Sequence, residues 1–218
     1  MTSYEREDYL INILRLAGEH GTVKTTELAK FMDVTPASVT GMLKTLYKEG
    51  LVDYQRYQGV SLTEEGLEKA KDLRRKHHIM ERFLTNVLDM DPESAHNEAH
   101  AIEHSLSDET ANKICRMTGT KVDADCTTCD DPCTNRVRIT DCVSAADMPA
   151  GESGIISHLS SEDSSVVRRL ISMGFVPGRE ISIASIVSDK GARIISIGET
   201  TIALDREMAA AIQVNAEC

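Results

Sequence analysis

A nine-residue segment at residues 96–104, HNEAHAIEH, concentrates side chains that can bind metal ions. In a helix, which turns about 100° per residue, four of these side chains share one face. They are His96, His100, Glu103 and His104. Imidazole and carboxylate groups are ligands of divalent transition metals, so the segment predicts a metal site. A solvated polar face with hydrogen-bonded histidines is the competing interpretation, and the segment alone does not identify the metal.

Two helices are expected to carry the ligands. The helix of the segment itself can be capped by Asp89 or Asp91, with Pro92 in its first turn. The helix before it is long and amphipathic, and it holds His77 and Glu81 four residues apart on one face. This second pair of ligands complements the first set.

Length and composition limit the class of protein. The chain has 218 residues and a hydrophobic content of 41%, which suits two modest domains with ordinary cores. We find no apolar run long enough to cross a membrane, and the N-terminus lacks the apolar core of a signal peptide. We therefore expect a cytoplasmic protein without a membrane partner. In that compartment the six cysteines favour thiols or metal ligands over disulfides.

The excess of acidic charge is confined to one part of the chain. A net charge of -11 argues at first against nucleic acid, whose phosphates attract lysine and arginine. Residues 1–76, however, contain equal numbers of basic and acidic side chains, so the excess of acid lies in residues 77–218. The N-terminal part therefore remains compatible with DNA binding.

Residues 25–52 have the pattern of a helix-turn-helix. The first helix is short and can be capped by Thr25 or Thr26. The apolar residues expected on its inner face are Leu28, Ala29, and Phe31 or Met32. Asp33 and Val34 form the expected turn.

The second helix of this motif is expected to start with Thr35 as N-cap and Pro36 at its first position. The side chains expected to be buried at helical spacing are Val39, Met42, Leu43 and Leu46. The opposite face is small, hydroxylated and basic, which allows close approach to a major groove. The residues of this helix predicted to contact DNA are Thr35, Pro36, Ala37, Ser38, Thr40 and Lys44.

Two short alternating runs after this helix predict a wing hairpin. They cover residues 51–55 and 60–62, and the turn between them contains Gly59. Arg56 is predicted to contact a DNA phosphate or the minor groove. Helix pairs of this type also occur as packing units without DNA, but two helices and a wing in this order favour DNA binding.

The segment after residue 118 has little apolar periodicity and is rich in cysteine. Its cysteines are Cys126, Cys129, Cys133 and Cys142. Their spacing is compatible with a zinc knuckle, with an iron–sulfur site, or with a reduced linker that binds no metal. Cys115 and Cys218 have no evident partner in the sequence.

The C-terminal part alternates short β patterns with turns. The strand patterns are SGIISHL, REISIAS, ARIISIG and TIALDREMAAAIQV. Between the first two, SSVVRRLISMGFVPG predicts a short amphipathic helix that ends at Gly174. This arrangement resembles the small SH3-like barrel of ferrous iron transport A proteins.

An ordered set of motifs in residues 4–118 resembles the diphtheria toxin repressor family of metal-dependent transcription regulators, including its manganese transport regulator branch. The motifs are EDYLINIL, TPASVTGMLKTL, GLVDYQRYQGVSLTEEG, RKHHIMERFL and HNEAHAIEHSLSDE. The resemblance implies a winged helix, a helical dimerisation region and metal sites that connect them. Many long members of this family also carry the SH3-like barrel.

The resemblance also implies two sets of metal ligands. The ancillary site takes His77, Glu81 and His96. The primary site takes Asp8, His100, Glu103 and His104. Asp8 agrees with the manganese-type members and replaces a methionine of the iron-type ones. His100 stands where those branches have cysteine or glutamate, and Ile11 lacks the additional carboxylate of the manganese branch, so the expected primary site is a hybrid.

Ligand chemistry limits the choice of ion. Carboxylate and imidazole in place of thioether and thiol favour Mn(II) or Fe(II), although the same imidazoles bind Zn(II) or Ni(II) more tightly. The expected cofactor is therefore Mn(II) or Fe(II), with Zn(II) or an iron–sulfur cluster as alternatives at the linker cysteines. Glu162 and Asp163 lie where long iron-type members add ligands, but an acidic N-cap is the simpler interpretation.

The expected fold class is α+β, with an N-terminal winged helix-turn-helix, a helical dimerisation domain and a C-terminal SH3-like β-barrel. The expected domains are a DNA-binding domain at 1–74, a metal-binding and dimerisation domain at 75–120, a cysteine-containing linker at 121–142 and an SH3-like domain at 143–218.

These features together predict a homodimeric, metal-activated transcriptional repressor that controls metal homeostasis genes and binds double-stranded operator DNA. Metal binding is expected to select a spacing of about 34 Å, or a multiple of it, between the two recognition helices. The alternatives are a metalloenzyme or a metal-buffering protein that uses the same cluster. A catalytic metal needs an open position, a substrate pocket and a general base, and no motif supplies them, so we do not expect an enzyme.

Overall fold

The structure is a computed structural model that describes residues 3–55, 58–118, 142–161, 163–188 and 191–216. The chain divides into two compact units, Met1–Lys76 (unit 1) and His77–Cys218 (unit 2), and each is described by itself. Helices and strands occur in both units, which confirms the expected α+β class. Among the helices of the described residues, none combines the length and the apolar character needed to cross a bilayer.

Unit 1 has the order of elements of a winged helix-turn-helix, as predicted. Its elements are α1 (Ser3–Ala17), α2 (Thr25–Phe31), α3 (Pro36–Lys48), β1 (Val52–Gln55), β2 (Gly59–Leu62) and the first part of α4 (Glu64–Asn86). The side chains predicted to be buried on α3 lie in the core of this unit: Val39, Met42, Leu43 and Leu46. Burial of each such side chain stabilises the fold by roughly 1.5–3 kcal/mol.

The two helices of the motif differ in how they begin. Helix α3 starts as predicted, because the Thr35 hydroxyl accepts a hydrogen bond from the Ser38 amide at 3.1 Å. The predicted cap of α2 is wrong, since Lys24 occupies the N-cap position and makes no side-chain cap bond. Phe31 is 46% exposed, so Met32 is the residue of that pair that packs on the core.

The wing is an antiparallel hairpin tied to the chain before α2. Val52 pairs with Leu62, and Val23 exchanges two backbone hydrogen bonds of 2.9 Å with Val60. Gly59 has a φ of 114°, and a Cβ atom there would lie 2.6 Å from the Val23 carbonyl oxygen. Glycine adopts this positive φ without strain and has no Cβ atom to collide with the Val23 carbonyl oxygen. Gly59 therefore allows the hairpin to lie against the Val23 segment.

Unit 2 begins with a helical region. Its helices are the rest of α4, α5 (Pro92–Ile102), a short 3-10 helix (Glu103–Ser105) and α6 (Asp108–Met117). Asp91 caps α5 by accepting a hydrogen bond from the Ser94 amide at 3.0 Å, and Pro92 occupies the first turn. The buried residues that join these helices are Ile79, Met80, Leu84, Ala95, Ala99, Leu106 and Ala111.

Helix α5 ends earlier than the sequence predicted. The α-helix stops at Ile102, and Glu103 and His104 lie on the 3-10 helix that follows. The expectation of a single α-helical face for all four ligands of the segment is therefore wrong at its C-terminal end. The physical reason is long-range, because Glu103 is drawn into a buried position where it contacts His77, 26 residues earlier in the chain.

The rest of unit 2 is a six-stranded antiparallel sheet with the order β3-β8-β4-β5-β6-β7. Its elements are β3 (Cys142–Ser144), β4 (Ser153–Leu159), α7 (Ser164–Ser172), β5 (Glu180–Ile186), β6 (Arg193–Ile197), β7 (Thr200–Leu204), α8 (Arg206–Ala210) and β8 (Ile212–Ala216). The predicted strands and the short helix between the first two are confirmed. The last pattern also contains α8, which Asp205 caps through the Met208 amide at 2.7 Å.

Helix α7 connects the sheet to the helical region of unit 2. The Arg168 guanidinium donates a hydrogen bond to the Asn86 carbonyl oxygen at 3.2 Å and lies 3.0 Å from the Asp89 carboxylate. Asp163 caps this helix by accepting from the Ser165 amide at 2.8 Å. Asp163 thus has the capping role that was the simpler interpretation of the acidic segment before the helix.

Candidate metal centre and DNA-binding face

One group of ligands lies at the end of α5 and on the 3-10 helix. We call His100, Glu103 and His104 the first cluster. The Nδ1 atom of His100 lies 2.9 Å from Oε1 of Glu103, and Nε2 of His104 lies 3.5 Å from the same oxygen. Each residue offers one ligand atom to a group whose atoms lie within 4.8 Å of one another. This spacing suits a single divalent ion.

Glu103 is the buried centre of this cluster, with 1% of its surface exposed. Burial by itself disfavours the charged form, but hydrogen bonds and positive charge from His77 and His100 outweigh burial and lower the pKa of Glu103 below its usual value. The side chain is therefore a carboxylate at neutral pH, the form that binds a metal ion.

A second group of ligands joins α4 to α5. We call His77, Glu81 and His96 the second cluster. The Nε2 atom of His77 lies 3.1 Å from Nδ1 of His96 and 3.6 Å from Oε2 of Glu81. The Glu81 carboxylate also lies 3.5 Å from His96 through its other oxygen. Two imidazoles and a carboxylate at these distances fit a borderline divalent ion.

Small buried residues lie on the inner side of α5, next to the second cluster. Ala95 and Ala99 are fully buried on the side of α5 that packs in the helical core with Met80 and Leu84. His96 follows Ala95 directly, and its Nδ1 atom lies 3.1 Å from Nε2 of His77.

The two clusters touch through one contact that the sequence did not predict. Nδ1 of His77 lies 2.6 Å from Oε2 of Glu103, while Oε1 of Glu103 faces the first cluster. The sequence placed these two residues in separate sites. Only the charged and ligating character of Glu103 was visible in the sequence, because its contact with His77 depends on the tertiary fold.

Asp8 was predicted to complete the first cluster. It lies on α1 of unit 1 and is partly exposed. Its assignment to the metal site stays a prediction that rests on the family pattern.

The residues of α3 that were predicted to contact DNA lie on its outer face. Thr35, Pro36, Ala37, Ser38 and Lys44 are exposed, and Thr40 is partly buried. Their hydroxyl groups are engaged within the helix, since Thr35 contacts Ser38 at 2.9 Å and Thr40 donates to the Pro36 carbonyl oxygen at 2.8 Å. The face is thus ordered by its own cap, and Lys44 supplies its positive charge.

A cleft of about 550 Å³ opens between α2, α3 and the wing. Its lining residues are Lys24, Thr25, Thr26, Thr40, Lys44, Tyr54 and Gly59. Sequence reasoning missed Lys24, although a basic residue directly before a helix-turn-helix was a visible signal. Among the described residues, the lining contains two lysines and no acidic side chain, so the cleft favours an anionic partner.

Several predicted residues fall outside the described part of the chain. They are Arg56, Cys126, Cys129, Cys133 and Glu162. Cys142 is described, and it lies in β3, where its thiol contacts the Asn215 side chain at 2.9 Å. The proposed roles of the linker cysteines and of Arg56 stay predictions.

Three regions of the chain match known protein families. Residues 1–60 match the iron-dependent repressor N-terminal DNA binding domain, residues 63–128 match the iron-dependent repressor metal binding and dimerisation domain, and residues 143–216 match the FeoA domain. The matches follow the expected order of a winged helix, a metal-binding region and an SH3-like domain. The domain bounds at 74, 120 and 142 stay predictions.

Two similar proteins are also transcriptional regulators. An HTH-type transcriptional regulator of Methanocaldococcus jannaschii is 42% identical over 109 residues, which are 50% of this chain and 87% of the relative. The HTH-type transcriptional regulator MntR of Bacillus subtilis is 34% identical over 114 residues, which are 52% of this chain and 80% of the relative. Both alignments are shorter than the chain, whose C-terminal region matches the FeoA domain instead.

A solved structure agrees in fold. A manganese-dependent transcriptional repressor in complex with manganese superposes with a TM-score of 0.50 and 24% identity, covering 97% of this chain and 100% of that one. The chain therefore belongs to the iron-dependent repressor family of metal-dependent transcriptional regulators. It is a DNA-binding, metal-responsive repressor and not an enzyme, which confirms the expected function and removes the metalloenzyme alternative.

Proposed function

We propose that this protein is a homodimeric repressor that Mn(II) or Fe(II) activates and that controls genes of metal homeostasis. The observation that carries the proposal is the buried Glu103 carboxylate, which has the histidines of both clusters around it. Only 1% of the surface of Glu103 is exposed, so the histidines and a cation are its natural partners.

The proposed primary site consists of Asp8 and the first cluster, and the proposed ancillary site is the second cluster. A bound ion supplies Lewis-acid charge that holds carboxylate and imidazole groups from different helices together. Asp8 on α1 and His104 after α5 would then be fixed to one ion. This link orders the DNA-binding part of the protein relative to its dimerisation part, which supports metal-dependent DNA binding.

The ion itself is chosen by ligand type and by availability. The first cluster with Asp8 offers two carboxylates and two imidazoles and contains no sulfur, which suits Mn(II) or Fe(II). Zn(II) binds such imidazoles more tightly, so we expect it to compete in vitro. We keep Zn(II) or an iron–sulfur cluster at the linker cysteines as a separate proposal.

The proposed DNA interface is the outer face of α3 together with Arg56 in the wing. Thr35, Pro36, Ala37, Ser38 and Thr40 bring a small surface to the major groove, and Lys44 contacts phosphate. A dimer presents two such helices to half-sites about 34 Å apart or a multiple of that distance. A repressor of this kind works where the chromosome is, so we propose a cytoplasmic location.

The test is a DNA-binding titration on the promoter region of the gene itself. Binding is measured by fluorescence anisotropy with Mn(II), Fe(II), Zn(II) and without metal, at one fixed salt concentration. We expect Mn(II) or Fe(II) to increase affinity by at least about tenfold over the metal-free protein, which corresponds to about 1.4 kcal/mol. Equal affinity in all four conditions would contradict the proposal.

A further inference from the structure

Glu103 faces both clusters with different oxygen atoms. Its Oε1 lies 2.9 Å from His100, and its Oε2 lies 2.6 Å from Nδ1 of His77. A carboxylate has acceptors and no donor, so a hydrogen bond to it requires the proton to be on the histidine. The Nδ1 atom of His77 therefore carries a proton that it donates to Glu103.

The position of this proton determines which nitrogen of His77 can bind a metal ion. With Nδ1 protonated, a neutral His77 keeps its lone pair on Nε2. That nitrogen is the one directed into the second cluster, 3.1 Å from Nδ1 of His96 and 3.6 Å from the Glu81 carboxylate. Glu103 thus selects the tautomer that the second cluster needs.

Both partners of this hydrogen bond are buried, His77 with 7% and Glu103 with 1% of its surface exposed. A charge-assisted hydrogen bond away from water is stronger than a neutral one and holds both groups in one orientation. Hydrogen bonds from a carboxylate to the second nitrogen of a ligating histidine also raise the basicity of the ligating nitrogen.

We propose that Glu103, besides its place in the first cluster, is the positioning residue for the second cluster through its hydrogen bond to His77. This inference rests on the proposed function, because it takes both clusters as metal sites. Since one carboxylate serves both clusters, a change at Glu103 affects two sites, whereas a change at His104 affects one.

The test compares variants that all damage the first cluster. Glu103→Met keeps the length of the side chain but cannot accept a hydrogen bond, and Glu103→Gln keeps one acceptor oxygen without the charge. The matched control is His104→Ala, which removes a ligand of the first cluster and leaves the Glu103–His77 hydrogen bond in place. His77→Ala identifies the signal of the second cluster.

The first readout is the Zn(II) affinity of the second cluster, measured by competition with a chromophoric chelator. Loss of such a supporting hydrogen bond weakens metal binding by about 10–100-fold, so we expect that loss in Glu103→Met relative to His104→Ala. Glu103→Gln should lie between the two. Equal affinities within twofold, or no Zn(II) binding that depends on His77 in the unmodified protein, overturn the proposal.

The second readout is the tautomer of His77, measured by nitrogen-15 NMR of the metal-free protein. A purely structural role of Glu103 would not determine which nitrogen carries the proton. We expect the Nδ1-protonated form in the unmodified protein and in His104→Ala, and its loss in Glu103→Met. An Nε2-protonated His77 in metal-free His104→Ala overturns the proposal, as does loss of the Nδ1 proton when Zn(II) binds.

The two readouts separate this inference from the proposed function. If metal ions do not stimulate DNA binding, the proposed function fails, but the tautomer of His77 in the metal-free protein still reports on the hydrogen bond. If metal ions stimulate DNA binding and Glu103→Met binds Zn(II) as His104→Ala does, only the inference fails.

Discussion

Helix α3 and helix α5 begin in the same way. In each, a polar residue accepts a hydrogen bond from the amide three positions later, Thr35 from Ser38 and Asp91 from Ser94. Each helix then has proline in its first turn, where the missing amide hydrogen is not needed. The starts of both helices were predicted from four consecutive positions of sequence.

The two helices end differently. After α3, Gly50 has a φ of 76°, and the Gly50 and Leu51 amides donate to the Tyr47 and Leu46 carbonyl oxygens. This is a Schellman termination, which glycine makes possible. After α5 the chain continues without glycine into a 3-10 helix, because Glu103 turns inward to the buried His77.

This difference separates local from long-range control. The local termination of α3 leaves its outer face, with Lys44, open to a large partner. The long-range termination of α5 turns Glu103 inward, so that its carboxylate is buried against His77. A DNA-binding surface needs an exposed helix face like that of α3. A binding site for one small ion needs ligands turned inward, as Glu103 is at the end of α5.

The largest effect is expected when a ligand after α5 is removed. His104→Ala removes an imidazole ligand of the first cluster. Loss of a residue that only supports a ligand weakens metal binding by about 10–100-fold, so loss of the ligand itself should lower metal-stimulated DNA affinity by about 100-fold or more. Fluorescence anisotropy with Mn(II) measures the affinity, and circular dichroism checks the fold. His78→Ala, on α4 and outside both clusters, is the control and should retain the metal response. A full metal response in His104→Ala would remove this residue from the site.

The termination of α3 can be destabilised by a substitution at Gly50. An alanine in this left-handed conformation costs about 1–2 kcal/mol, so Gly50→Ala should lower the free energy of unfolding by that amount. Added bulk is not the cause, because an added Cβ atom would meet no atom within 4 Å. Gly50→Asn should lose less, since asparagine tolerates this conformation. Urea unfolding measures both, and equal losses would contradict a conformational origin.

The open face of α3 can be tested through its charge. Lys44→Ala should weaken binding to every DNA sequence and reduce the salt slope by about one, because one phosphate contact is lost. Lys48→Ala is the matched control, since Lys48 is exposed in the last turn of the same helix and is not among the residues that line the cleft. The measurement is the DNA dissociation constant at several salt concentrations. Identical slopes for both variants would place the phosphate contact elsewhere.

The smallest effect is expected from a substitution at Thr35, the N-cap residue of α3. Thr35→Ala removes the cap of α3 and should lower the free energy of unfolding by about 1 kcal/mol, measured in urea. Thr35→Ser keeps the hydroxyl and should remain close to the unmodified protein. A loss of DNA affinity in Thr35→Ala that Thr35→Ser does not share would follow from the hydroxyl group, through the cap or through a DNA contact, whereas a loss in both would indicate a contact of the methyl group with DNA.

Much of the fold could be predicted from the sequence because it depends on nearby residues. The buried face of α3, the hairpin around Gly59 and the strand patterns of the C-terminal sheet follow from periodicity and turn residues. The cap of α2 could not be predicted, because Thr25 and Thr26 had the right chemistry but the helix begins one position earlier than such a cap requires.

For the site, the sequence by itself determined the ligand types and their grouping on α4 and α5, since helical spacing places His77 near Glu81 and His96 near His100. Only the tertiary structure decided that α5 ends at Ile102 and that Glu103 joins the two clusters. The reason is physical: local spacing specifies which side chains share a face. The burial of a carboxylate depends on donors that come from distant parts of the chain.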